Sequence, residues 1–221
     1  MSPRAWLTQS PLFARVAPFV LFVVLTSCQG QLGEGSRFWI YGLKTLLGAW
    51  MVWSVRSVVT EMRWKFSLDA VLMGFAVFAL WVGLDSLYPK SGSVDHPWNP
   101  LAYFKDNPSL AWAFIACRIL GSTLIVPPLE EVFYRSFLYR YIQSSDFLSI
   151  PLGNRNTKAL GITALVFGFA HFEWLAGILC ALGYQFLVIR KARLGDAMTA
   201  HAITNLLLGL WVVYKGAWHF W

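Results

Sequence analysis

Residues 127–135 read Pro127-Pro128-Leu129-Glu130-Glu131-Val132-Phe133-Tyr134-Arg135. Two adjacent carboxylates follow a long apolar run, and an arginine follows Glu131 at i, i+4 spacing. A charged side chain at the centre of a bilayer costs about 2.5–3.5 kcal/mol on insertion scales, so such a cluster usually serves a function. The alternative is structural: Glu131 and Arg135 form an ion pair one helical turn apart, at the end of a helix.

The composition of the chain is that of a membrane protein. Of its 221 residues, 57% are hydrophobic and 13% are charged, whereas soluble domains carry about 25% charged residues. The net charge of +7 does not indicate nucleic acid, because the basic residues cluster between apolar segments, as topology signals do. The three cysteines form no C-x-x-C pair and therefore indicate no metal knuckle or disulfide framework. We expect the lipid bilayer, and no nucleic acid, as a partner.

Apolar segments recur along the whole chain and predict an all-α, polytopic bundle of about seven transmembrane helices. Helices are favoured because they satisfy every backbone hydrogen bond within one segment. Basic residues are denser in alternate links, which predicts that the N-terminus lies in the cytoplasm. We expect an integral protein of a bacterial inner (plasma) membrane. The predicted segments are 11–28, 38–59, 68–87, 110–126, 159–170, 174–189 and 196–214.

The chain divides into two parts, which we treat as one membrane domain. Residues 1–109 hold the first three segments and a proline-rich, aromatic loop at 88–107, which is either a connector at the membrane interface or a substrate lid. Residues 110–215 hold the polar motifs. The first segment ends in Leu25-Thr26-Ser27-Cys28, which resembles a bacterial lipobox. We favour a first transmembrane helix that ends in cysteine, because the chain beyond it is itself a membrane protein.

The two prolines of the central stretch predict a break in the fourth segment. Pro127 and Pro128 remove two backbone donors, so the helix should kink or end there. A helix that restarts would place Glu130 and Glu131 near its N-terminus, where the macrodipole favours negative charge. Lys44, inside the second segment, is expected to extend its amine to the membrane surface.

Polar residues also interrupt the apolar helices of the C-terminal half. Because each costs free energy unless it is paired, we expect them to face one water-containing cavity. A carboxylate there can deprotonate water, and a histidine or an amide can donate to an oxyanion. Alternatively, the set could hold zinc through Glu130, His171 and His201, or only join helices. The residues concerned are Glu130, Glu131, His171, His201 and Asn205.

Three motifs in order resemble those of the CAAX prenyl endopeptidase type II family, also called CPBP or Abi: Glu130-Glu131-x-x-x-Arg135, Phe167-x-x-x-His171 and His201-x-x-x-Asn205. The resemblance covers roughly residues 110–210. The chain has Tyr134 and Ser136 where that family usually has phenylalanine and glycine. In length and general character the chain also resembles a bacterial CAAX-protease-related branch that is found with exosortase sorting systems.

The resemblance implies an intramembrane protease that cleaves a membrane-anchored or lipidated peptide near its C-terminus. Glu130, assisted by His171, would activate a water molecule, and His201 with Asn205 would stabilise the oxyanion. The resemblance leaves the dependence on a metal open. The residues it implies for the site are Glu130, Glu131, His171, His201 and Asn205, with Arg135 and Phe167 in support.

Two other functions remain open from the residues alone. The same polar side chains could join the helices of a non-enzymatic protein, such as a bacteriocin-immunity protein or a scaffold partner. A transporter could use a carboxylate as a proton relay. The predicted topology also places His171 near the outer end of its segment and His201 near the inner end of another. Catalysis needs similar depths, so either the boundaries are displaced or one helix is short and re-entrant.

Overall fold

The computed structural model describes residues 3–91 and 97–221, and within these ranges the chain forms helices and no strand. The predicted all-α class is therefore confirmed. The helices are α1 (Pro3–Leu7), α2 (Pro11–Ser27), α3 (Ser36–Val55), α4 (Leu68–Gly83), α5 (Pro100–Tyr103), α6 (Pro108–Tyr141), α7 (Thr157–Phe169), α8 (Trp174–Lys191) and α9 (Gly195–Lys215).

Among the described residues, three helices are long and apolar enough to cross a membrane: α6, α8 and α9. The apolar helices α2, α4 and α7 are shorter, with 17, 16 and 13 residues. A helix of 13 residues is about 20 Å long, whereas the hydrocarbon core of a bilayer measures about 30 Å. The number of seven spans therefore stays a prediction.

The outer surface of the bundle is apolar. Leu46 on α3 is 73% exposed, and Leu72, Leu120 and Phe186 on three other helices are each more than half exposed. A monomeric soluble protein rarely exposes so much contiguous apolar surface. This exterior suits hydrocarbon, and it supports an integral membrane protein.

Helix α9 lies at the centre and packs against α4, α6 and α8. Its close approach to α4 depends on Gly74. A Cβ atom at Gly74 would lie 2.7 Å from Cβ of Ile203 and 2.9 Å from the carbonyl oxygen of Ala200, so only glycine fits there. The Thr204 hydroxyl lies 3.0 Å from the carbonyl oxygen of Gly74 and joins the two helices. These contacts fix the rotation of α9, and with it the direction of its polar face.

Helix α6 does not end at the prolines, so the predicted break is wrong. It continues through two π-helical stretches, Gly121–Ile125 and Val132–Leu138. In the first stretch the N–H of Val126 bonds to the carbonyl of Gly121, five residues back. This wider turn takes the chain into Pro127 and Pro128 without ending the helix. The two glutamates therefore lie in a helix interior, and the predicted N-terminal dipole does not act on them.

A buried charge network joins α2, the link after α3, and α6. The guanidinium of Arg15 donates to both carboxylate oxygens of Glu61, at 2.8 and 2.9 Å. Arg140 donates to the Ser136 hydroxyl at 2.8 Å, and that hydroxyl in turn contacts Glu61. Ser136, which stands where the resembled CAAX endopeptidase family usually has glycine, thus belongs to this network. Arg140, at the end of α6, is 5% exposed.

The loop at 88–107 differs from the irregular interfacial segment that its prolines indicate. It contains the short helix α5, and Trp98 is buried rather than placed at the surface. The Trp98 ring packs against Phe38 at 4.9 Å and Tyr41 at 5.6 Å between centroids. Residues 92–96 of this loop, including Gly92, lie outside the described residues. Trp98 also lies against Arg118, whose guanidinium carbon is 4.6 Å from the ring centroid.

Candidate functional site

A cavity of about 640 Å³ lies inside the bundle, and the polar faces of α6 and α9 open into it. As the sequence predicts, Glu130, His171, His201 and Asn205 all line this cavity. Glu131, which we expected there as well, does not. It is fully buried behind the cavity wall.

Glu131 connects two of the motifs. Its Oε1 atom accepts a hydrogen bond from Nδ1 of His201 at 2.9 Å. The same oxygen lies 3.2 Å from Nη1 of Arg135, one helical turn further along α6, which confirms the predicted i, i+4 ion pair. Because the carboxylate holds Nδ1 of the imidazole, Nε2 of His201 is the nitrogen directed to the cavity.

Arg135 connects Glu131 and His201 to the remaining motif, Phe167-x-x-x-His171. The Arg135 guanidinium carbon lies 4.7 Å from the ring centroid of Phe167, within the range of a cation–π contact. The Phe167 ring in turn lies 4.6 Å from the His171 ring and 6.4 Å from the His201 ring. One aromatic ring therefore contacts both histidines, which places them at similar depth. Together with the shortness of α7, this geometry favours the short-helix explanation of their predicted mismatch.

His171 lies in the turn between α7 and α8, two residues after the end of α7. Its Nδ1 donates to the carbonyl oxygen of Phe167 at 2.7 Å. A carbonyl can only accept, so Nδ1 carries a proton and Nε2 is the free nitrogen of the neutral ring. The edge of Trp81 packs against the ring at 5.6 Å between centroids. The two contacts hold the imidazole at the cavity wall.

Asn205 is held by a carbonyl that Pro127 leaves free. In the π-helical turn, the N–H of Val126 bonds to Gly121, and Pro127 has no N–H to offer the next carbonyl, that of Ser122. Nδ2 of Asn205 donates to this Ser122 carbonyl at 2.8 Å. One amide proton and the amide oxygen of Asn205 remain available in the cavity. The proline that predicts a helix break thus serves instead to position Asn205.

Glu130 differs from its neighbour in having no fixed partner. Within the described residues, its Oε2 atom makes no hydrogen bond. It lies 4.0 Å from Nε2 of His201, too far for a direct hydrogen bond but suited to one bridging water. Glu130 and His171 line the same cavity, yet no hydrogen bond or ion pair joins their described side chains.

Two cations in the cavity wall were not assigned to the site from the sequence. Lys44 is 5% exposed and lines the cavity with Arg118, so the predicted extension of Lys44 to the membrane surface is wrong. Lys44 and Arg118 each interrupt an apolar segment, and a charge within such a segment is the sequence signal that could have identified them. Glu173 also lines the cavity, in the turn before α8, and burial raises the pKa of its carboxyl group.

The donors considered for zinc do not converge. No group of three His, Cys, Asp or Glu side chains in ranges 3–91 and 97–221 is placed to hold a metal ion. Nε2 of His201 and Oε2 of Glu130 lie 4.0 Å apart, but no third His, Cys, Asp or Glu side chain of the described residues joins them. A catalytic zinc ion takes three protein ligands in a tetrahedral arrangement. These residues therefore do not fit zinc.

Comparison with known proteins bears on the C-terminal part of the chain. The family model described as "Type II CAAX prenyl endopeptidase Rce1-like" matches residues 110–207. No curated protein matches the chain, and no solved structure does. The matched range contains all three motifs, including Glu131 with its two partners. The resemblance that the motifs indicate is confirmed over residues 110–207, which match the model of the Rce1-like type II CAAX prenyl endopeptidase family.

Proposed function

We propose that this protein is a membrane-embedded endopeptidase that hydrolyses a membrane-anchored or lipidated peptide near its C-terminus, with Glu130 as the base. The main support is the environment of the Glu130 carboxylate. It lines the cavity, and its Oε2 has no hydrogen-bond partner in the described part of the chain. The same oxygen lies 4.0 Å from Nε2 of His201. The family match supports protease activity of the CAAX type.

The chemistry begins with a water held between Glu130 and Nε2 of His201. Glu130 removes one proton from this water as its oxygen attacks the scissile carbonyl carbon. The free amide proton of Asn205 stabilises the negative charge on the carbonyl oxygen, as does His201 when its Nε2 is protonated. The proton held by Glu130 then passes to the leaving nitrogen as the C–N bond breaks. The free Nε2 of His171 accepts and returns protons along this path.

Glu131 and Arg135 act on His201 from behind the cavity. The bond from Nδ1 to Glu131 fixes the tautomer and the orientation of the ring. A buried carboxylate at that nitrogen also favours the protonated imidazole as charge develops on the substrate. Arg135 offsets the charge of Glu131, so the pair stays ionised inside the bundle. Both residues thus position His201.

A purely structural use of the same residues accounts for part of this geometry. The contacts of Glu131 with His201, and of Asn205 with Ser122, are hydrogen bonds between helices of the kind that joins membrane bundles. Glu130 lacks such a contact, although an unpaired carboxylate at that position costs free energy. This difference favours the enzyme over the bacteriocin-immunity or scaffold function.

The test compares wild type, Glu130→Gln and Glu34→Gln in liposomes. The substrates are a farnesylated CAAX peptide and a panel of membrane-anchored peptides, with and without a chelator. We expect Glu130→Gln to lower kcat by about 10²–10⁴ and Glu34→Gln, at an exposed position, to leave it unchanged. Activity should survive the chelator. Cleavage by Glu130→Gln at the wild-type rate would refute the role of Glu130, and loss on chelation would restore the zinc alternative.

A further inference from the structure

The cavity has a cationic wall that the hydrolytic residues leave unused. Nζ of Lys44 lies 2.9 Å from Oγ1 of Thr26 and 3.1 Å from Oε1 of Gln29. These partners are neutral. Within the described residues, no aspartate or glutamate forms an ion pair with Lys44. A buried ammonium without a counter-ion is unfavourable, because neutral oxygens replace only part of its hydration.

Arg118 adds a second charge beside the first. Its guanidinium carbon lies 4.6 Å from the ring centroid of Trp98 and 5.1 Å from that of Trp221. In the part of the chain that the structure describes, its guanidinium makes neither a hydrogen bond nor an ion pair. Lys44 and Arg118 also share the Tyr41 ring, at 4.6 and 4.8 Å from its centroid. Two neighbouring cations with free donors form a site for an anion with two oxygens.

The distance to the hydrolytic residues suits the end of a short peptide. Arg118, Ser122, Val126 and Glu130 line the cavity in steps of one helical turn. Three turns of helix rise about 16–18 Å between the backbone positions of Arg118 and Glu130, and both side chains reach the same cavity. A peptide of three to four residues spans about 10–14 Å when extended. Such a peptide connects a bond held at Glu130 to an anion held at Arg118.

We infer that Lys44 and Arg118 bind the C-terminal carboxylate of the peptide substrate and thereby set the distance of cleavage from the chain end. The inference rests on the proposed function for the identity of the ligand. A peptide carboxylate supplies the missing anion, and its two oxygens match the guanidinium fork. A phospholipid phosphate offers similar chemistry. The buried position of Lys44, in the same cavity as Glu130, favours the peptide end.

The test measures binding separately from turnover. Full-length Glu130→Gln protein in phosphatidylcholine nanodiscs is titrated with a farnesylated CAAX peptide that ends in a free carboxylate, and with the same peptide as a C-terminal amide. Tryptophan fluorescence provides the signal, because Arg118 lies against Trp98 and Trp221. The variants Lys44→Met and Arg118→Gln are added to this parent. Lys158→Met, at an exposed lysine, is the matched control.

We expect the parent to bind the carboxylate peptide at least about tenfold more tightly than the amide. Lys44→Met and Arg118→Gln should remove this preference and leave amide binding unchanged, which also shows that the variants are folded. Lys44→Arg and Lys158→Met should keep the preference. Equal binding of the two peptides by the parent, or binding of neither, would overturn the inference. So would an unchanged preference in both Lys44→Met and Arg118→Gln.

A lipid arm and an activity arm separate the remaining explanations. Nanodiscs with phosphatidylglycerol should not abolish the carboxylate preference; if they do, the cations hold a lipid phosphate and the inference is wrong. In wild type, cleavage of acid and amide peptides with equal KM would refute the inference while the proposed function stands. Carboxylate-selective binding without cleavage of any peptide would support the inference and contradict the proposed function.

Discussion

At the scale of single residues, two adjacent glutamates have opposite environments. Neighbours in a helix point about 100° apart, so Glu130 faces the cavity while Glu131 faces the packed interior. Glu131 is fixed by His201 at 2.9 Å and Arg135 at 3.2 Å. Oε2 of each glutamate lacks a hydrogen-bond partner in the described residues, but only Glu130 lines the cavity, and its carboxylate forms no hydrogen bond with them at either oxygen. The first arrangement is that of a positioning group, and the second is that of a group kept available for a proton.

This contrast predicts different effects of the same chemical change on stability. Glu131→Gln leaves Arg135 buried without a counter-charge and should lower the free energy of unfolding by about 3–5 kcal/mol. Glu130→Gln should change it by less than about 1 kcal/mol, because the carboxylate makes no hydrogen bond in the described residues and its Oε2 lies 4.0 Å from Nε2 of His201. Unfolding by a denaturing detergent, followed by circular dichroism, measures both.

The double variant Glu131→Gln/Arg135→Met provides the control for this mechanism. Removing both charges should recover part of the stability that Glu131→Gln loses, because no buried cation is left unpaired. If Glu131→Gln is as stable as Glu130→Gln, the ion pair with Arg135 does not hold the bundle together.

At the scale of elements, the hairpin of α7 and α8 depends on one close contact. A Cβ atom at Gly168 would clash with Cγ1 of Ile178 and would lie 2.8 Å from the carbonyl oxygen of Trp174. Gly168 follows Phe167 directly, and His171 lies three residues beyond it. Spreading the hairpin would therefore move the ring that both histidines contact.

Gly168→Ala should destabilise the protein by about 1–3 kcal/mol through overpacking and should lower kcat more than it raises KM. Gly161→Ala is the matched control, since the same helix has open space around Gly161. There the added methyl should be neutral, or should stabilise by up to about 1 kcal/mol through helix propensity. Thermal unfolding and cleavage assays of both variants check this. Equal effects at the two positions would contradict it.

At the scale of the whole molecule, Glu61 ties the N-terminal helices to the matched segment. Burial acts to raise the pKa of Glu61, but the hydrogen bond from Ser136 and the charge of Arg15 outweigh it and hold the pKa below its ordinary value. A carboxyl group with a lowered pKa in the folded state contributes stability above its unfolded pKa. That contribution is lost as the pH falls through the folded pKa.

We therefore expect Glu61→Gln to be less stable than wild type at pH 7, by about 3 kcal/mol. The difference should begin to narrow below about pH 4, the ordinary pKa of a glutamate, and should disappear only as the pH falls through the lower pKa of the folded state. Thermal unfolding from pH 7 to pH 3 measures this, with Glu34→Gln as an exposed control. A stability difference that is constant over the whole range would show that the charge of Glu61 does not hold α2 against α6.

The sequence by itself determined the all-α class, the apolar segments and the motifs of the family. These depend on composition and on spacing within one helix, which are local. The sequence also shows that Lys44, Arg118 and Glu130 interrupt apolar runs, although it did not assign the two cations to the site. A charge in an apolar run is informative in itself, because it costs free energy wherever the helix is placed.

Only the tertiary structure decided what each polar group meets. The sequence could not show that α6 continues through Pro127, because the freed carbonyl of Ser122 is satisfied by Asn205 from another helix. Nor could it show that Lys44 turns inward, or that Arg140 is buried against Ser136. Periodicity identifies neighbours on one helix. Whether a side chain meets lipid, a partner or a cavity depends on contacts between helices distant in sequence, and those contacts set the free energy of each charge.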